Sequence, residues 1–520
     1  MRLGERPGRR LLSTVAFWVI VAVTTRALFW LVSDRTWEDA LITAQHAVNF
    51  ARGEGLAHHP GEGPVHGFTS VFSLLIPLLG EIAVPGSAVT AQKAASLVAA
   101  ALTIVVADRL GRQLGLSALG RIVVLGYLAL DYNQILYGMA GMETQFAVLA
   151  ILTSASLLVA RSRFAGLALG ASVLVRPDFA IWVALAAGWV VVFHRRGVGA
   201  AFAGLMAITV PWLAFAWAYF GSPVPHTISA KAAALVPPPS GSGILEVGEW
   251  VYERVTLNTV PSLRMLSPFL EDSLVASAPV PTPALLAVGL LVYGLAALGI
   301  RARIRDPRWL PLVAFVIAYL GYRVIFLPPV YFDWYAPPFA VCLIIVAAGG
   351  LQRLAAPAMV TRGLSVAVVI VFAIHLPFSY ALDARIQREI EQGVRVPMAL
   401  FLRDRVGPGE AVASEAAGYI GYYAGVLLYD YPGLTSPTAL DAVRSTAAEE
   451  RGLSAMIDRL RPAWIVVRPD ELADLQRRYP MTAARYEVAR RFGDGAPTIA
   501  VDGLVKYTID SSFLVMRAGK

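Results

Sequence analysis

Charged residues and cysteine are scarce in this sequence of 520 residues. Only 15% of the residues are charged and 57% are hydrophobic, whereas a soluble domain is usually about a quarter charged. The single cysteine, Cys342, excludes an intrachain disulfide. The loops between the hydrophobic runs contain no glycine-rich P-loop and no dinucleotide-binding fingerprint. The sequence therefore offers no recognisable nucleotide-binding site in these loops.

The hydrophobic residues are concentrated in runs that can cross a bilayer core of roughly 30 Å. The segment Met1–Arg10 is basic and leads directly into the first run. Because this run is long and lacks a small-residue cleavage site, we interpret it as a retained span rather than a signal peptide. The runs predict eleven spans, at residues 11–32, 87–107, 118–135, 143–160, 164–177, 179–193, 199–219, 283–300, 309–327, 334–350 and 363–380.

Arginines fall in the short loops on one side of these spans, as in Arg161, Arg163, Arg195 and Arg196. The positive-inside rule therefore places the N-terminus in the cytoplasm and explains the net charge of +8 without a nucleic-acid partner. Three longer segments are then predicted outside, at residues 33–86, 220–282 and 381–520.

The sequence predicts two domains. Residues 1–380 form an all-α polytopic membrane domain, whose first extracytoplasmic loop is 33–86. Residues 381–520 alternate strand-like runs with helical stretches such as Thr438–Leu460, which is typical of a small α/β domain. The strand-like runs are Ala411–Ala413, Trp464–Val467 and Phe513–Met516.

An amphipathic helix is predicted in the first loop, from Thr36 to about Arg52. Such a helix would lie along the membrane surface. Glu38 and Asp39 occupy its first turn, where Thr36 with Asp39 approximates a capping box. The same carboxylates could also act as a base that takes a proton from an attacking hydroxyl. Both roles are compatible, because a capped carboxylate is also a positioned one.

A glycine-rich segment follows, with His58, His59, Glu62 and His66. These groups could bind a metal, but their spacing matches no tight metal signature. A divalent cation therefore stays open as the one conceivable cofactor. The apolar stretch Thr69–Leu79 is too short to span and predicts an interfacial or re-entrant helix.

Several short motifs, taken in order, resemble the GT-C fold glycosyltransferases, and in particular the actinobacterial group that adds terminal β-(1→2) arabinofuranose. In the first loop these are Glu38-Asp39-Ala40-Leu41-Ile42, Gly53-Glu54-Gly55 and Gly67-Phe68-Thr69-Ser70. Later in the chain they are Gly141-Met142-Glu143-Thr144, Arg176-Pro177-Asp178, Pro225-His226-Thr227 with Ala230-Lys231, Asp333-Trp334-Tyr335, Gly418-Tyr419-Ile420-Gly421-Tyr422-Tyr423 and Asp430-Tyr431-Pro432-Gly433-Leu434.

The chain departs from the family pattern at four places. Glu38 replaces the usual first aspartate, and His226 replaces the usual asparagine. Ser70 is not followed by proline, and Asp333 stands where a basic residue is common. These departures bear on the identity of the sugar and of the acceptor rather than on the fold.

The resemblance implies a transferase of a bacterial plasma (inner) membrane that moves a hexosyl or pentosyl group, arabinofuranosyl in cell-wall synthesis being one case. The donor would be a polyprenyl-phosphate sugar, and the acceptor a glycan, lipid or protein. It implies Asp39 and Glu38 as the catalytic carboxylates, with Asp39 favoured as the base. Fixed cations suit the growing charge of the leaving phosphate, and the candidates are Lys231 and Arg176, with Arg323 third. The candidate substrate-binding residues are His58, His59, His66, Glu143, His226, Trp334 and Tyr335.

Plainer structural roles stand beside these. Lys231 could be a solvated loop lysine, Arg176 could pair with Asp178 at a helix end, and Glu143 could cap a span. Arg323 is harder to dismiss, because an ionisable residue within an apolar run is costly and usually functional.

A transporter or flippase of a lipid-linked saccharide is the main alternative function. It predicts charged residues at the bilayer midplane and often internal symmetry, whereas the acids here cluster in the first loop and no repeat is seen. An acyltransferase or ligase would need an activated nucleophile or histidine, for which the histidines of the first loop are candidates. A scaffold protein would not need this acidic loop.

Overall fold

The computed structural model describes residues 7–234, 244–266, 282–325, 333–354, 363, 366, 370, 372–374, 376–493 and 511–519. Helices dominate as far as residue 403, and a small sheet follows in the C-terminal part. The predicted span at 363–380 lies partly outside the described residues.

Apolar helices form the N-terminal part of the chain, and they coincide with ten of the predicted spans. Within a bilayer a helix satisfies all of its own backbone hydrogen bonds, which is why long apolar runs adopt this form. Before residue 221 they are α1 Pro7–Ser33, α4 Ala88–Gln113, α5 Ala118–Leu130, α6 Tyr132–Met139, α7 Thr144–Val159, α8 Ala165–Val175, α9 Ala180–Phe193 and α10 Val198–Phe220. Four further helices of this part of the chain are described below: α2 Glu38–Ala51, α3 Val71–Ala83, α11 His226–Ala234 and α12 Ile244–Arg264. Three more follow: α13 Thr282–Arg303, α14 Leu310–Ile325 and α15 Ala336–Leu351.

Five helices among the described residues are long and apolar enough to cross a membrane by themselves. A sixth candidate is the pair α6 and α7, which meet at an angle of 113°. The predicted span 118–135 ends early, because Asp131 interrupts the helix and its side chain accepts a hydrogen bond from the backbone N–H of Gln134 at 3.0 Å. Five other apolar helices are shorter, so the predicted count of eleven stays a prediction.

The first loop contains the two helices that its sequence predicts, α2 (Glu38–Ala51) and α3 (Val71–Ala83). The predicted capping box is absent at the start of α2, since the N-cap residue is Trp37 and its side chain makes no capping hydrogen bond. Helix α2 is also more enclosed than a helix lying on a membrane surface. Leu41 and Ala44 on its apolar stripe are buried, and so are Gln45, His46 and Asn49, because α2 packs between α3 and a helix of the C-terminal part.

A five-stranded sheet forms the centre of the C-terminal part, with strand order β2-β1-β3-β5-β4. Strands β1, β2 and β3 are parallel, and β5 pairs antiparallel with both β3 and β4. The strands are β1 Ala411–Ser414, β2 Leu427–Asp430, β3 Trp464–Val467, β4 Tyr486–Phe492 and β5 Phe513–Ala518. The three predicted strand runs are therefore present. The two edge strands were missed, because β4 is mostly exposed and charged and so lacks an apolar run.

Helix α16 (Leu376–Ile386) packs against α1 and leads into a π-helix at Gln387–Arg395. The helices that follow in the C-terminal part are α17 Val396–Arg403, α18 Gly418–Ala424, α19 Pro437–Arg444, α20 Leu453–Leu460, α21 Pro469–Arg478 and α22 Pro480–Ala483. The predicted helical stretch Thr438–Leu460 is thus two helices, α19 and α20. Helix α18 packs against α2, and α19 packs against α11 (His226–Ala234). The C-terminal part consequently contacts two segments that carry candidate site residues.

Candidate active site

The first turn of α2 is fixed by the turn that precedes α7. The backbone N–H of Trp37 donates to the carbonyl of Ala140 at 2.9 Å. Gly141 has φ +88°, and a Cβ atom there would lie 2.9 Å from the Cβ of Ala40. Only glycine suits this backbone conformation and this close approach. The Gly-Met-Glu-Thr motif therefore lies against α2 and brings Glu143 close to Asp39.

Asp39, Glu143, Lys231 and Tyr335 form a cluster that we call the acid–lysine cluster. Burial opposes the charge of Lys231, but the interactions with Tyr335, Asp39 and Glu143 outweigh it and raise the pKa of this lysine above its ordinary value. Its Nζ lies 5.7 Å from the ring centroid of Tyr335. Lys231 is thus a partly buried cation beside two acids, and not a solvated loop lysine. Asp39 is partly exposed whereas Glu143 is buried, so Asp39 is the more accessible carboxylate.

Glu38 belongs to a different environment from its neighbour Asp39, since successive helical side chains point about 100° apart. Its carboxylate forms an ion pair with Arg395 of the π-helix and accepts a hydrogen bond from the backbone N–H of Gly418 at 3.2 Å. A Cβ atom at Gly418 would lie 2.1 Å from the carbonyl oxygen of Glu38. Glu38 therefore connects the first loop to the C-terminal part.

The ion pair of Glu38 continues into a buried network. Glu391 lies 3.4 Å from Arg395 and 2.7 Å from Arg35, and Arg35 lies 3.6 Å from Asp383. Asp383 in turn accepts a hydrogen bond from Tyr132 of α6. Sequence reasoning missed this network, although Arg35, three residues after the end of the first predicted span, was a signal. The π-helix that carries Glu391 and Arg395 is a rare geometry, often found at functional sites.

We expect Arg395→Met to lower stability by about 3 kcal/mol, because it removes the cation that pairs with Glu38 and leaves the buried Glu391 with Arg35 as its remaining cation. The matched control is Arg403→Met on the adjacent α17. Arg403 also pairs with an acid, Asp404, but this pair is exposed and should contribute about 1 kcal/mol or less. Thermal unfolding of the purified proteins in detergent checks this. Equal melting temperatures for the two variants would show that the network is not stabilising.

Arg176 and Asp178 form the helix-end ion pair that their sequence allows. Arg176 donates to both carboxylate oxygens of Asp178, at 2.9 and 2.8 Å, and Nη1 donates to the carbonyl of Trp334 at 3.1 Å. The guanidinium carbon lies 4.0 Å from the ring centroid of Tyr335. Arg176 therefore holds the Asp-Trp-Tyr motif beside the acid–lysine cluster, and its role toward a phosphate stays a prediction.

Arg323 is buried in the last turn of α14, as its position in an apolar run suggested. One turn earlier, the hydroxyl of Tyr319 donates to Asp178 at 2.7 Å. An apolar groove of about 490 Å³ runs along the same end of α14 and is lined by Leu320, Gly321, Val324 and Ile325 together with residues of α12 (Ile244–Arg264), α13 and α15. A buried cation thus lies within the turn that borders an apolar groove.

Four histidines, His46, His58, His66 and His226, form a second cluster with Phe68 and Phe220. The rings of His46 and His58 are 5.6 Å apart, and His66 stacks on Phe220 at 4.9 Å. Each of the four has one buried ring nitrogen without a hydrogen-bond partner among the described residues. His59 differs, since it is partly buried and its Nδ1 accepts from the N–H of Gly61 at 3.0 Å. The structure therefore packs His58 and His66 inward, and substrate contact by the predicted histidines stays a prediction.

Burial lowers the pKa of His46 and of His66 to about 4, and it also lowers the pKa of His58 and His226. The histidines are consequently neutral at pH 7. Within the part of the chain that the structure describes, no group of three or more His, Cys, Asp or Glu residues could hold a metal ion.

These histidines predict a loss of stability in acid. A histidine whose pKa is lower in the folded state stabilises the fold above its unfolded pKa of about 6.5, and this contribution is lost as the pH falls toward 4. The two shifts to about 4 correspond to about 3 kcal/mol each. We expect the melting temperature of the double variant His46→Gln/His66→Gln to fall less between pH 7 and pH 4.5 than that of the wild type. His194→Gln, outside the cluster, is the control, and equal slopes in all three proteins would contradict the prediction.

The Gly-Tyr and Asp-x-x-Gly motifs of the C-terminal part join it to the first loop. A Cβ atom at Gly421 would lie 2.3 Å from the ring of His58. Asp430 accepts hydrogen bonds from Thr435 and from the N–H of Leu434, which holds the turn before α19. Glu62 of the first loop accepts from the hydroxyl of Ser436 at 2.8 Å. These motifs thus have an evident structural role.

Comparison with known proteins identifies the fold. A family model described as a domain of unknown function (DUF8728) matches residues 384–509. A search of curated sequences finds no match. ArnT from Cupriavidus metallidurans, solved with undecaprenyl phosphate, is similar with a TM-score of 0.55 and 13% identity, over 98% of this chain and 99% of that one. The oligosaccharyltransferase of Archaeoglobus fulgidus in its apo form is similar with a TM-score of 0.55 and 12% identity, over 94% of this chain and 74% of that one.

A third similar structure is the oligosaccharyltransferase AglB from Archaeoglobus fulgidus in complex with an inhibitory peptide and a dolichol-phosphate. Its TM-score is 0.53 at 11% identity, over 94% of this chain and 73% of that one. At these identities the likeness shows the fold, and it confirms the predicted GT-C-like polytopic architecture. The narrower resemblance to arabinofuranosyltransferases is not confirmed by these comparisons.

Proposed function

We propose that this protein is a membrane glycosyltransferase that moves a sugar from a polyprenyl-phosphate donor to a hydroxyl of an acceptor outside the cytoplasm. The observation that carries the proposal is the acid–lysine cluster, in which a partly exposed carboxylate, Asp39, lies beside a cation, Lys231. Support comes from the fold, which is shared with ArnT bound to undecaprenyl phosphate and with AglB bound to dolichol-phosphate.

The chemistry is a single displacement with inversion. Asp39 takes the proton of the acceptor hydroxyl while its oxygen forms a bond to the anomeric carbon of the donor sugar. The bond from that carbon to the phosphate oxygen breaks, and polyprenyl phosphate leaves with the electron pair. Lys231 stabilises the growing negative charge of the phosphate. Tyr335, Asp39 and Glu143 together favour the protonated form of this lysine, and Glu38 holds α2 in place rather than acting as the base.

The other two cations take different roles in this proposal. Arg176 is held by Asp178 and by the carbonyl of Trp334, and its guanidinium lies against the ring of Tyr335, so it positions Tyr335 against Lys231. Arg323 lies in the turn that borders the apolar groove. We assign this groove to the polyprenyl chain, because it is apolar and open, and Arg323 to the phosphate end of that chain.

The test is sugar transfer by the purified protein in lipid nanodiscs, with radiolabelled polyprenyl-phosphate sugars offered one at a time. Polyprenyl-phosphate arabinofuranose is the first donor to try, because the motif order resembles that group, and hexose donors follow. The expected result is release of polyprenyl phosphate together with a labelled acceptor. Movement of an intact lipid-linked sugar across the bilayer without release would instead establish the flippase alternative.

A further inference from the structure

A cavity of about 460 Å³ lies between α2, the turn from α3 to α4, and α18. Gln45 and Val48 of α2 line it together with Arg52, the C-cap residue of this helix, and the three residues follow Asp39 by six, nine and thirteen positions. At 100° per residue these positions lie about 120 to 180° around the helix from Asp39. The cavity is therefore separate from the acid–lysine cluster, and none of the chemistry proposed above uses it.

Glu81 places a carboxylate in the wall of this cavity. Its residue is 7% exposed, and both of its oxygens accept from the same backbone N–H, that of Gly86, at 2.9 Å each. A carboxylate offers about four acceptor positions, and no other hydrogen bond to Glu81 occurs among the described residues. This buried carboxylate consequently keeps most of its acceptor capacity for something in the cavity.

Gln45 contributes a second buried acceptor. The residue is 4% exposed, and its Nε2 donates to Asn49 Oδ1 at 3.1 Å. Asn49 is itself oriented, because its Nδ2 donates to the carbonyls of Ala57 and His58 at 2.9 Å each. This chain of hydrogen bonds fixes the orientation of the Gln45 amide and leaves Oε1 without a partner among the described residues.

Arg52 and Tyr422 supply the donors and an aromatic wall. The guanidinium of Arg52 is exposed, and Tyr422 is partly buried, its ring edge-on to Tyr423 with centroids 5.1 Å apart. Glu81, Arg52 and Tyr422 all line the cavity, and the two charged groups act electrostatically on Tyr422. Val48 and Pro85 provide the apolar part of the lining.

This lining selects a class of ligand. A phosphate would be repelled by the carboxylate of Glu81, and a metal ion would lack further acidic or histidine ligands among the described residues. A sugar suits both the polar and the apolar lining of the cavity. Its hydroxyls can donate to Glu81 and Gln45 and accept from Arg52. Its apolar face can contact Tyr422 and Val48. The volume is within the range of about 300 to 1,000 Å³ for small-ligand sites.

We infer that this cavity is a second saccharide-binding site, which holds a distal part of a glycan acceptor while the end of that glycan reaches Asp39. Along α2 the cavity extends about 9 to 20 Å beyond Asp39, at a rise of 1.5 Å per residue. The acceptor role rests on the proposed function, whereas saccharide binding does not. The acceptor is thereby assigned as an oligosaccharide or polysaccharide rather than a protein.

Binding is tested with the full-length protein in nanodiscs, without donor. The probes are fluorescently labelled linear hexasaccharides of α-(1→5)-arabinofuranose, α-(1→6)-mannose and β-(1→3)-glucose. We expect at least one to bind, and Glu81→Gln and Tyr422→Ala each to weaken its binding tenfold or more. Glu81→Gln can still accept the hydrogen bond of Gly86, so the fold is kept. Glu54→Gln, an exposed acid of the same loop, is the matched control. The inference is overturned if no hexasaccharide binds, or if both variants bind as the wild type does.

Competition for the probe identifies the ligand class. If phosphatidylglycerol vesicles displace the probe and unlabelled hexasaccharide does not, the cavity binds a lipid headgroup and the inference is overturned.

The acceptor role is tested by kinetics once a donor is known. Glu81→Gln should then raise KM tenfold for a hexasaccharide acceptor and leave KM for a methyl monosaccharide unchanged. If no donor is used but a hexasaccharide still binds in a Glu81-dependent way, the proposed function fails while the saccharide site stands.

Discussion

Asp39→Asn is expected to lose about a hundredfold or more of the turnover, which is the usual scale for a general base. Asparagine has nearly the same shape and keeps an acceptor oxygen, but it cannot take up the proton of the attacking hydroxyl. Asp39 is the partly exposed acid of the acid–lysine cluster. The Asp39→Asn substitution should therefore leave the melting temperature nearly unchanged. The measurement is the initial rate of sugar transfer together with the thermal unfolding of both proteins.

Glu38→Gln is the matched control for this change. It keeps the hydrogen bond from Gly418 but loses the ion pair with Arg395. We therefore expect it to lower the melting temperature more than Asp39→Asn does and to lower turnover less. Near-normal turnover by Asp39→Asn, with a verified donor and acceptor, would show that Asp39 is not the base. The reverse ranking of the two variants would assign the base role to Glu38.

Lys231→Met should weaken donor use by about 2 to 4 kcal/mol, a typical loss for one group that stabilises a developing negative charge. This corresponds to roughly a 30- to 1,000-fold lower kcat/KM for the donor, at about 1.4 kcal/mol per tenfold. Methionine has a similar length and polarizable bulk without the charge. We expect KM for the acceptor to change much less, because the lost cation acts on the phosphate and not on the attacking hydroxyl.

Arg451→Met is the control that distinguishes two effects of Lys231→Met, the loss of the lysine charge and a change in the position of α11. Arg451 donates to the carbonyl of Ala233, two residues after Lys231, at 2.7 Å, and so it holds α11 without adding charge to the cluster. A small effect of Arg451→Met beside a large effect of Lys231→Met supports direct charge stabilisation. Equal effects on the donor kcat/KM would show that Lys231 acts only through the position of α11, and the phosphate role would then be wrong.

Much of the fold could be predicted from the sequence, for two physical reasons. A long apolar run in a membrane must satisfy its backbone hydrogen bonds internally, so helices near ten predicted spans followed from composition alone. The buried strands β1, β3 and β5 could also be predicted from composition, because each is a short apolar run. The edge strands β2 and β4 could not be read, since their stability comes from pairing with a neighbour rather than from their own pattern.

The candidate site was predicted in part. Asp39, Glu143, Lys231 and Tyr335 were singled out as separate motifs, and the tertiary structure is what brings them together from α2, the turn before α7, α11 and the start of α15. Sequence reasoning could not find Arg395 or the saccharide cavity, because both depend on side chains that are distant in the chain.

The sequence by itself determined that this chain is built of apolar helices, that its acids and histidines cluster in the first loop, and that an α/β unit follows. The resemblance favoured Asp39 over Glu38 as the base, but adjacency in sequence says nothing about what each side chain faces. Only the tertiary structure shows the surroundings of each acid. Packing of the C-terminal part against α2 pairs Glu38 with Arg395, whereas Asp39 lies beside Lys231, since helical geometry turns the two side chains about 100° apart.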